Sequence, residues 1–260
     1  MQYFIIYFYS LTKADLEENT EVLIGLSAPI ETATLSNLIN HPCVQLSDEL
    51  GPALQPDEQI TKGQLSSRRL RFCPPFDTFQ LCHYKTRMSE TALPIQVIYQ
   101  MKGEASRAEI SINLKLAPGV KNSFEVCQVH MPFFNRGPIK TASCVPQSAN
   151  VLVAPDHMKL LWDVGQKFPG KSREFSLQIT VEFDTNVEIR NEDPFLIGLN
   201  SFIQISFKLL DYTYSGLKID NKSIELSPSG KIKTQIATEF EAVDYKIWNS
   251  LGDVICSSPT

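Results

Sequence analysis

No stretch of this 260-residue sequence repeats apolar side chains at spacings of three and four for more than two turns, so amphipathic helices are essentially absent. Apolar runs of membrane-spanning length, about 20 residues, are missing too. The opening, Met1-Gln2-Tyr3-Phe4-Ile5-Ile6-Tyr7-Phe8-Tyr9, reaches only about half of that. It carries no basic n-region and no small-residue cleavage site, and its aromatic and β-branched make-up suits a buried strand better than a leader. Excess positive charge is lacking as well: the formal net charge is −5. A nucleic-acid partner, which needs a basic field, is not expected. Two local clusters, Arg68-Arg69-Arg71 and Lys167-Lys171-Arg173, are either contacts for an anionic lipid surface or solvated strand edges and turns.

Signs of catalysis are equally scarce. The sequence contains no Gly-x-Ser-x-Gly elbow, no Walker loop and no Gly-x-Gly-x-x-Gly turn. An all-β hydrolase has no nucleophile constellation to rest on, so no enzyme, catalytic residue or cofactor is expected. Cys127 and His130 lie three apart on one strand and point to opposite faces, which argues against a thiol–imidazole pair. His41 and Cys43 share a face and could join Cys82 or His83 around a metal, but Pro42 and the shortage of further ligands count against it; no metal is expected. The six cysteines form no Cys-x-x-Cys pair. A chain this long buries a core without disulfides, so reduced thiols and a cytosolic location are expected. Asn221-Lys222-Ser223, a glycosylation pattern, then has no consequence. The alternative is a secreted or cell-surface β-sandwich binding protein, which requires disulfides among those cysteines.

What the sequence does have is alternation. Phe175, Leu177, Ile179, Val181 and Phe183 alternate with Ser176, Gln178, Thr180 and Glu182. Ile110, Ile112, Leu114 and Leu116 do the same against Glu109, Ser111, Asn113 and Lys115, as do Ile203, Ile205, Phe207 and Leu209 against Gln204, Ser206 and Lys208. Period two puts one set on a buried face and the other in water. Shorter strands are expected at 21–26, 41–46, 95–100, 124–131, 151–154, 158–164, 217–219, 223–226, 231–236 and 243–248. Pro118-Gly119, Pro155-Asp156-His157, Pro169-Gly170 and Ser227-Pro228-Ser229-Gly230 read as turns. Residues 13–19 read as a turn or a single helical turn, and 47–67, poor in large apolar residues, as a long surface loop. The fold class is all-β, a sandwich or barrel.

The densest signal is Leu70-Arg71-Phe72-Cys73-Pro74-Pro75-Phe76-Asp77-Thr78-Phe79-Gln80-Leu81-Cys82-His83-Tyr84-Lys85, two alternating runs about a double proline. Two prolines remove two amide donors, so they mark a corner; a hairpin-like reversal is the economical expectation. This segment resembles the signature of the mu homology domain, the C-terminal half of the medium chains of clathrin-type adaptor complexes. Four further segments resemble that family in its own order. They are His41-Pro42-Cys43-Val44-Gln45-Leu46, Phe124-Glu125-Val126-Cys127-Gln128-Val129-His130-Met131-Pro132, Leu160-Leu161-Trp162-Asp163-Val164-Gly165-Gln166-Lys167-Phe168-Pro169-Gly170-Lys171, and Ile205-Ser206-Phe207-Lys208-Leu209 with Ser215-Gly216-Leu217-Lys218-Ile219. Within the family, Asn135-Arg136-Gly137-Pro138-Ile139, Gly165-Gln166-Lys167-Phe168-Pro169, Leu210-Asp211-Tyr212-Thr213 and Asp244-Tyr245-Lys246-Ile247-Trp248-Asn249-Ser250 look most like the medium chains of the fifth adaptor complex.

The resemblance implies an elongated β-sandwich of two subdomains spanning 1–260, one (about 93–185) inserted into the other (about 1–92 and 195–260). It implies a non-enzymatic medium subunit of a heterotetrameric vesicle coat acting in endosomal and lysosomal sorting, cytosolic and peripheral on late endosome and lysosome membranes. Implied partners are two large and one small adaptor subunits, spatacsin- and spastizin-type coat proteins, and cargo tails. Family members bind tyrosine-based tails along an edge strand, with the tyrosine in a pocket of Asp, Lys, Trp and Arg. Here Gln235 and Ala237 fall where the Trp and Arg belong, and the first strand, which supplies the Asp, is absent or replaced. The standard tyrosine pocket is therefore not expected. The edge formed by Thr234, Gln235, Ile236, Ala237 and Thr238 is either a peptide-pairing strand or an ordinary capped sandwich edge.

Overall fold

A computed structural model of the chain describes residues 4–12, 16, 20–27, 35–45, 69–88, 93–104, 106–133, 136–169, 172–185, 202–214, 216–230 and 233–251. Every regular element among them is a strand. The 47–67 loop and all but one residue of the 13–19 turn lie outside the described residues.

The chain divides into two compact units. The first holds Met1–Leu93 and Asp211–Thr238. In one of its sheets β1 (Phe4–Thr12) and β3 (Leu35–Asn40) flank β6 (Phe79–Met88). In the other the order is β15 (Lys218–Ser227), β2 (Glu21–Ser27), β5 (Arg69–Phe72), β4 (Val44–Gln45). All pairings are antiparallel. Alternation turns Val22, Ile24 and Leu26 of β2 and Leu70 and Phe72 of β5 into a core shared with Phe79 and Leu81 of β6. Each such side chain contributes about 1.5–3 kcal/mol by leaving water. Phe72 and Phe79 meet edge-on across the two sheets, 5.9 Å between centroids.

That contact corrects the expected hairpin. β5 and β6 belong to different sheets, so the Pro74-Pro75 corner carries the chain from one layer to the other. Residues without amide donors cannot extend a ladder, but they cross between ladders at no hydrogen-bond cost.

The second unit holds Pro94–Leu210 and Glu239–Thr260. One sheet runs β10 (Ile139–Val145), β13 (Glu174–Phe183), β8 (Arg107–Leu116), β7 (Ile95–Gly103). The other runs β11 (Asn150–Val153), β12 (Lys159–Asp163), β9 (Phe124–Pro132), β14 (Phe202–Leu210), β16 (Glu239–Trp248). Their inward rows bury Ile110, Ile112 and Leu114 with Leu177, Ile179 and Val181 on one side, and Val129, Leu160, Trp162, Ile203 and Ile205 on the other. Aromatic contacts bridge the layers: Trp162 with Phe175 at 5.2 Å, and Phe133 with Phe183 at 5.1 Å. Past β16, Asn249 closes onto the rim of β7. Its Oδ1 accepts the Met101 N–H at 2.9 Å, its Nδ2 donates to the Met101 carbonyl at 2.8 Å, and the Ser250 N–H donates to the Tyr99 carbonyl at 2.9 Å. An edge that would otherwise show bare ladder groups is covered.

Other expectations need correction. Residues 195–260 do not all join the outer unit: β14 pairs with β9 and β16 pairs with β14, so both lie in the second unit. Strand pairing, not chain position, decides membership. The strands expected at 217–219 and 223–226 are one strand, β15, interrupted by a wide bulge between Asp220 and Glu225 opposite β2. Of the strand expected at 41–46, the described residues end at 45 and only Val44–Gln45 among them is strand; the Val44 N–H turns back to the His41 carbonyl at 2.9 Å. Residues 233–238, most of the strand expected at 231–236 among them, belong to no strand. β3 and β10 were not foreseen, because neither carries an apolar alternation; in β10 only Ile139 is buried.

Candidate peptide-pairing site

Thr234, Gln235, Ile236, Ala237 and Thr238 run between β15 and β16 outside both ladders. Both ends are pinned. Thr234 Oγ1 donates to Asn221 Oδ1 at 2.8 Å, reaching into the β15 bulge, and the Thr238 carbonyl accepts the Asp211 N–H at 2.7 Å. Asp211 holds a left-handed φ of 57°, which Asp tolerates better than most residues. Beside it, burial and then the charge of Tyr214 push the Tyr212 phenol up, keeping it protonated.

Between the pins the side chains of Thr234, Gln235, Ile236 and Ala237 are exposed, Ile236 by 39%, and Thr238 is half-buried. The segment is thus neither a sheet strand nor a covered edge. What it offers a peptide is main chain outside any ladder and one exposed aliphatic side chain. Gln235 and Ala237 present an amide and a methyl, neither of which can stack on a phenol ring.

The bulge that pins Thr234 is itself built tightly. Ser223 Oγ accepts the Gly25 N–H at 2.6 Å and donates to the Asp220 carbonyl at 2.7 Å. A Cβ on residue 25 would lie 2.7 Å from that Oγ, so only glycine allows the approach.

Nothing resembling a catalytic or metal centre assembles nearby. Among the described residues no group of three or more His, Cys, Asp or Glu side chains could hold a metal ion. Cys127 points into the core, where burial and then the charge of Asp163 push its thiol up to about 12. His130 lies on the opposite face of β9, between Leu161 and Gln204. Burial, then Lys159, lowers its pKa below the usual histidine value. Cys43 donates its N–H to His41 Nδ1 at 3.2 Å, while the His41 ring packs on Phe79 at 5.1 Å.

The strand expected at 243–248 is part of β16, and what the sequence did not disclose is that it lies at a sheet edge, next to β14 among the described residues. Val243, at the bulge opposite Ser206, is 64% exposed, and Trp248 is 49% exposed while packing at a tilt against Phe202, 5.3 Å between ring centroids. Val243, Tyr245 and Ile247 alternate with Asp244, Lys246 and Trp248, but the bulge turns Val243 out of the half-buried row of Tyr245 and Ile247, and a position at a sheet edge leaves no mark in alternation.

Comparison with known proteins gives this architecture a lineage. A model of the adaptor complexes medium subunit family matches residues 11–247. The human and bovine proteins named AP-5 complex subunit mu-1 are each 36% identical over 241 residues, covering 92% of this chain and 49% of their own. AP-5 complex subunit mu of Arabidopsis thaliana is 24% identical over 92% of this chain and 43% of its own. The chain thus spans about half the length of the curated relatives it matches. Among solved structures, the yeast delta-COP-I mu-homology domain complexed with a Dsl1 WxWxV peptide superposes with a TM-score of 0.60 at 9% identity, over 94% of this chain and 89% of that one. The Danio rerio Fcho1 mu homology domain with bound Eps15 peptide gives 0.57 at 14% identity, over 89% and 79%. Two sandwiches, the proline corner between sheets and a match along nearly the whole length agree: the chain belongs to the adaptor complexes medium subunit family.

Proposed function

We propose that this chain serves as the mu homology part of the medium subunit of a heterotetrameric adaptor-type vesicle coat, and that it binds proteins rather than transforming substrates. The observation that carries the reading is the 36% identity along 92% of the chain to proteins named as AP-5 mu-1. Its partners are two large adaptor chains and one small one, with spatacsin- and spastizin-type coat proteins alongside, at the cytosolic face of late endosomes and lysosomes. The work done there is endosomal and lysosomal protein sorting. Exposed faces suit a subunit that acts through contact, and among the described residues no group of three or more His, Cys, Asp or Glu side chains could hold a metal ion.

Cargo tails, in this reading, pair as extended peptides along Thr234, Gln235, Ile236, Ala237 and Thr238. Support comes from the exposure of that segment outside any ladder. It also comes from the peptide-bound state of two fold neighbours. The sequences selected differ from tyrosine signals, since Gln235 and Ala237 build no phenol pocket. The secreted alternative would require disulfides; the five described cysteines, Cys43, Cys73, Cys82, Cys127 and Cys144, are free thiols in this structure.

The test is affinity capture of the tagged chain from cells under mild detergent, with the bound proteins identified by mass spectrometry. Stoichiometric large and small adaptor chains are expected. A chain recovered alone at every expression level refutes the assignment. For the edge, Ala237→Pro removes an amide donor in mid-segment and is expected to abolish binding of selected peptides while leaving complex assembly intact.

A further inference from the structure

β4 is two residues long and pairs only with β5, Val44 opposite Phe72 and Gln45 opposite Arg71. Cys43 and Cys73 each lie one residue beyond the Val44–Phe72 pair, Cys43 in the turn that the Val44 N–H closes onto the His41 carbonyl. Opposed residues of an antiparallel pair have Cα atoms about 4.5–5.5 Å apart. Disulfides need Cα atoms about 4.4–6.8 Å apart, a span within reach of two residues that flank such a pair. Val44 and Phe72, one step inward, are buried in the core and fix the register. Cys73 is exposed and Cys43 half-buried, so a small reagent reaches at least one of the two. Burial raises the pKa of Cys43, with a smaller rise from the charge of Cys73.

We propose that Cys43 and Cys73 form a cross-strand dithiol that glutathione disulfide, or a small disulfide of that class, oxidises to an intrachain disulfide. The Cys73 thiolate attacks one sulfur of the reagent and releases one glutathione thiolate, leaving a mixed disulfide on Cys73. The Cys43 thiolate then attacks the Cys73 sulfur and expels the second glutathione. Two protein thiols lose two electrons and two protons; one glutathione disulfide becomes two reduced glutathiones. Reversal by reduced glutathione completes a switch. Oxidation ties the two-residue β4 covalently to β5, at the base of the segment that leads to the proline corner. Cys82 and Cys127 take no part: both are buried and face the cores.

The experiment exposes the full 260-residue chain to buffers of varied reduced-to-oxidised glutathione ratio. Samples are acid-quenched, alkylated, digested without reduction and mapped by mass spectrometry. One cross-linked product joining the Cys43 and Cys73 peptides is expected, exceeding glutathione adducts at either residue about tenfold at millimolar glutathione, as an effective concentration above the reagent's requires. Cys43→Ser and Cys73→Ser should each instead accumulate a stable adduct on the remaining thiol, with thermal unfolding by circular dichroism unchanged. Adducts at Cys73 in the unaltered chain without the cross-link would overturn the proposal. A preferred cross-link to Cys82 or Cys144, or no modification at all, would do the same.

Discussion

Replacing Asn249 by alanine is the most direct test of how the second unit is held together. Asn249 is 8% exposed and Met101 2% exposed, and the two hydrogen bonds between them use both backbone groups of Met101. Alanine removes both partners and leaves a buried N–H and a buried carbonyl. A hydrogen bond whose partners both return to water is worth about 0.5–1.5 kcal/mol, but a buried group left unsatisfied costs about 1–3 kcal/mol. At so enclosed a position the second figure governs, discounted for partial entry of water, so the expected loss is about 2–4 kcal/mol. That is a large part of the roughly 5–15 kcal/mol available to a domain. The assay is selective by composition: the chain has two tryptophans, Trp162 and Trp248, and both lie in the second unit. Urea unfolding followed by tryptophan fluorescence therefore reads that unit, and the midpoint should fall by about 1–2 M for a slope near 2 kcal/mol/M. Hydrogen exchange at the Met101 and Ser250 amides should quicken in parallel. A loss below about 0.5 kcal/mol, with Met101 exchange unchanged, would show that the rim of β7 is held by something other than this side chain.

Further outcomes follow from other contacts. Gly25→Ala should destabilise the first unit by about 1–3 kcal/mol, because the added Cβ meets Ser223 Oγ at 2.7 Å and Ser223 Cβ at 2.9 Å; thermal unfolding by circular dichroism checks it, and an unchanged midpoint would mean the bulge gives way freely. Gly137→Ala should do more harm in the second unit, since its Cβ would collide with the Asp184 carbonyl oxygen, which is backbone and cannot swing away. His130 has a folded pKa below its ordinary 6.5. Its neutral form is the one the fold favours, so its contribution is intact above pH 6.5 and is lost as pH falls through the lower folded value. His130→Gln should flatten that part of the pH–stability curve, and a curve that keeps its slope refutes the assignment. Cys127, with its thiol pushed up to about 12, should resist iodoacetamide at pH 8 until the chain unfolds, while exposed Cys73 reacts at once.

How legible was this molecule? β8, β13 and β14 were plain, since each keeps strict alternation over seven or more residues and each buries the row expected of it. The β11–β12 hairpin was equally clear, its turn marked by Pro155 and Asp156 and closed by His157 at a φ of 55°. β3 and β10 leave no signal because their side chains do not alternate, and β15 reads as two strands because its bulge breaks the period. The candidate edge shows the same limit from the other side. Thr234 to Ala237 has a strand's composition, yet the segment has no ladder to join, so composition alone promised a strand that pairing did not deliver.

The order of residues by itself determined the all-β class, most of the buried rows and the family, because burial on one face of a pleated strand leaves a period-two record and motifs keep their order along a chain. Only the tertiary structure decided which strands are neighbours. Whether the proline corner reverses within a sheet or crosses between sheets, and which unit claims β14 and β16, both depend on hydrogen-bond register. Register joins residues far apart in sequence, and no local pattern records it.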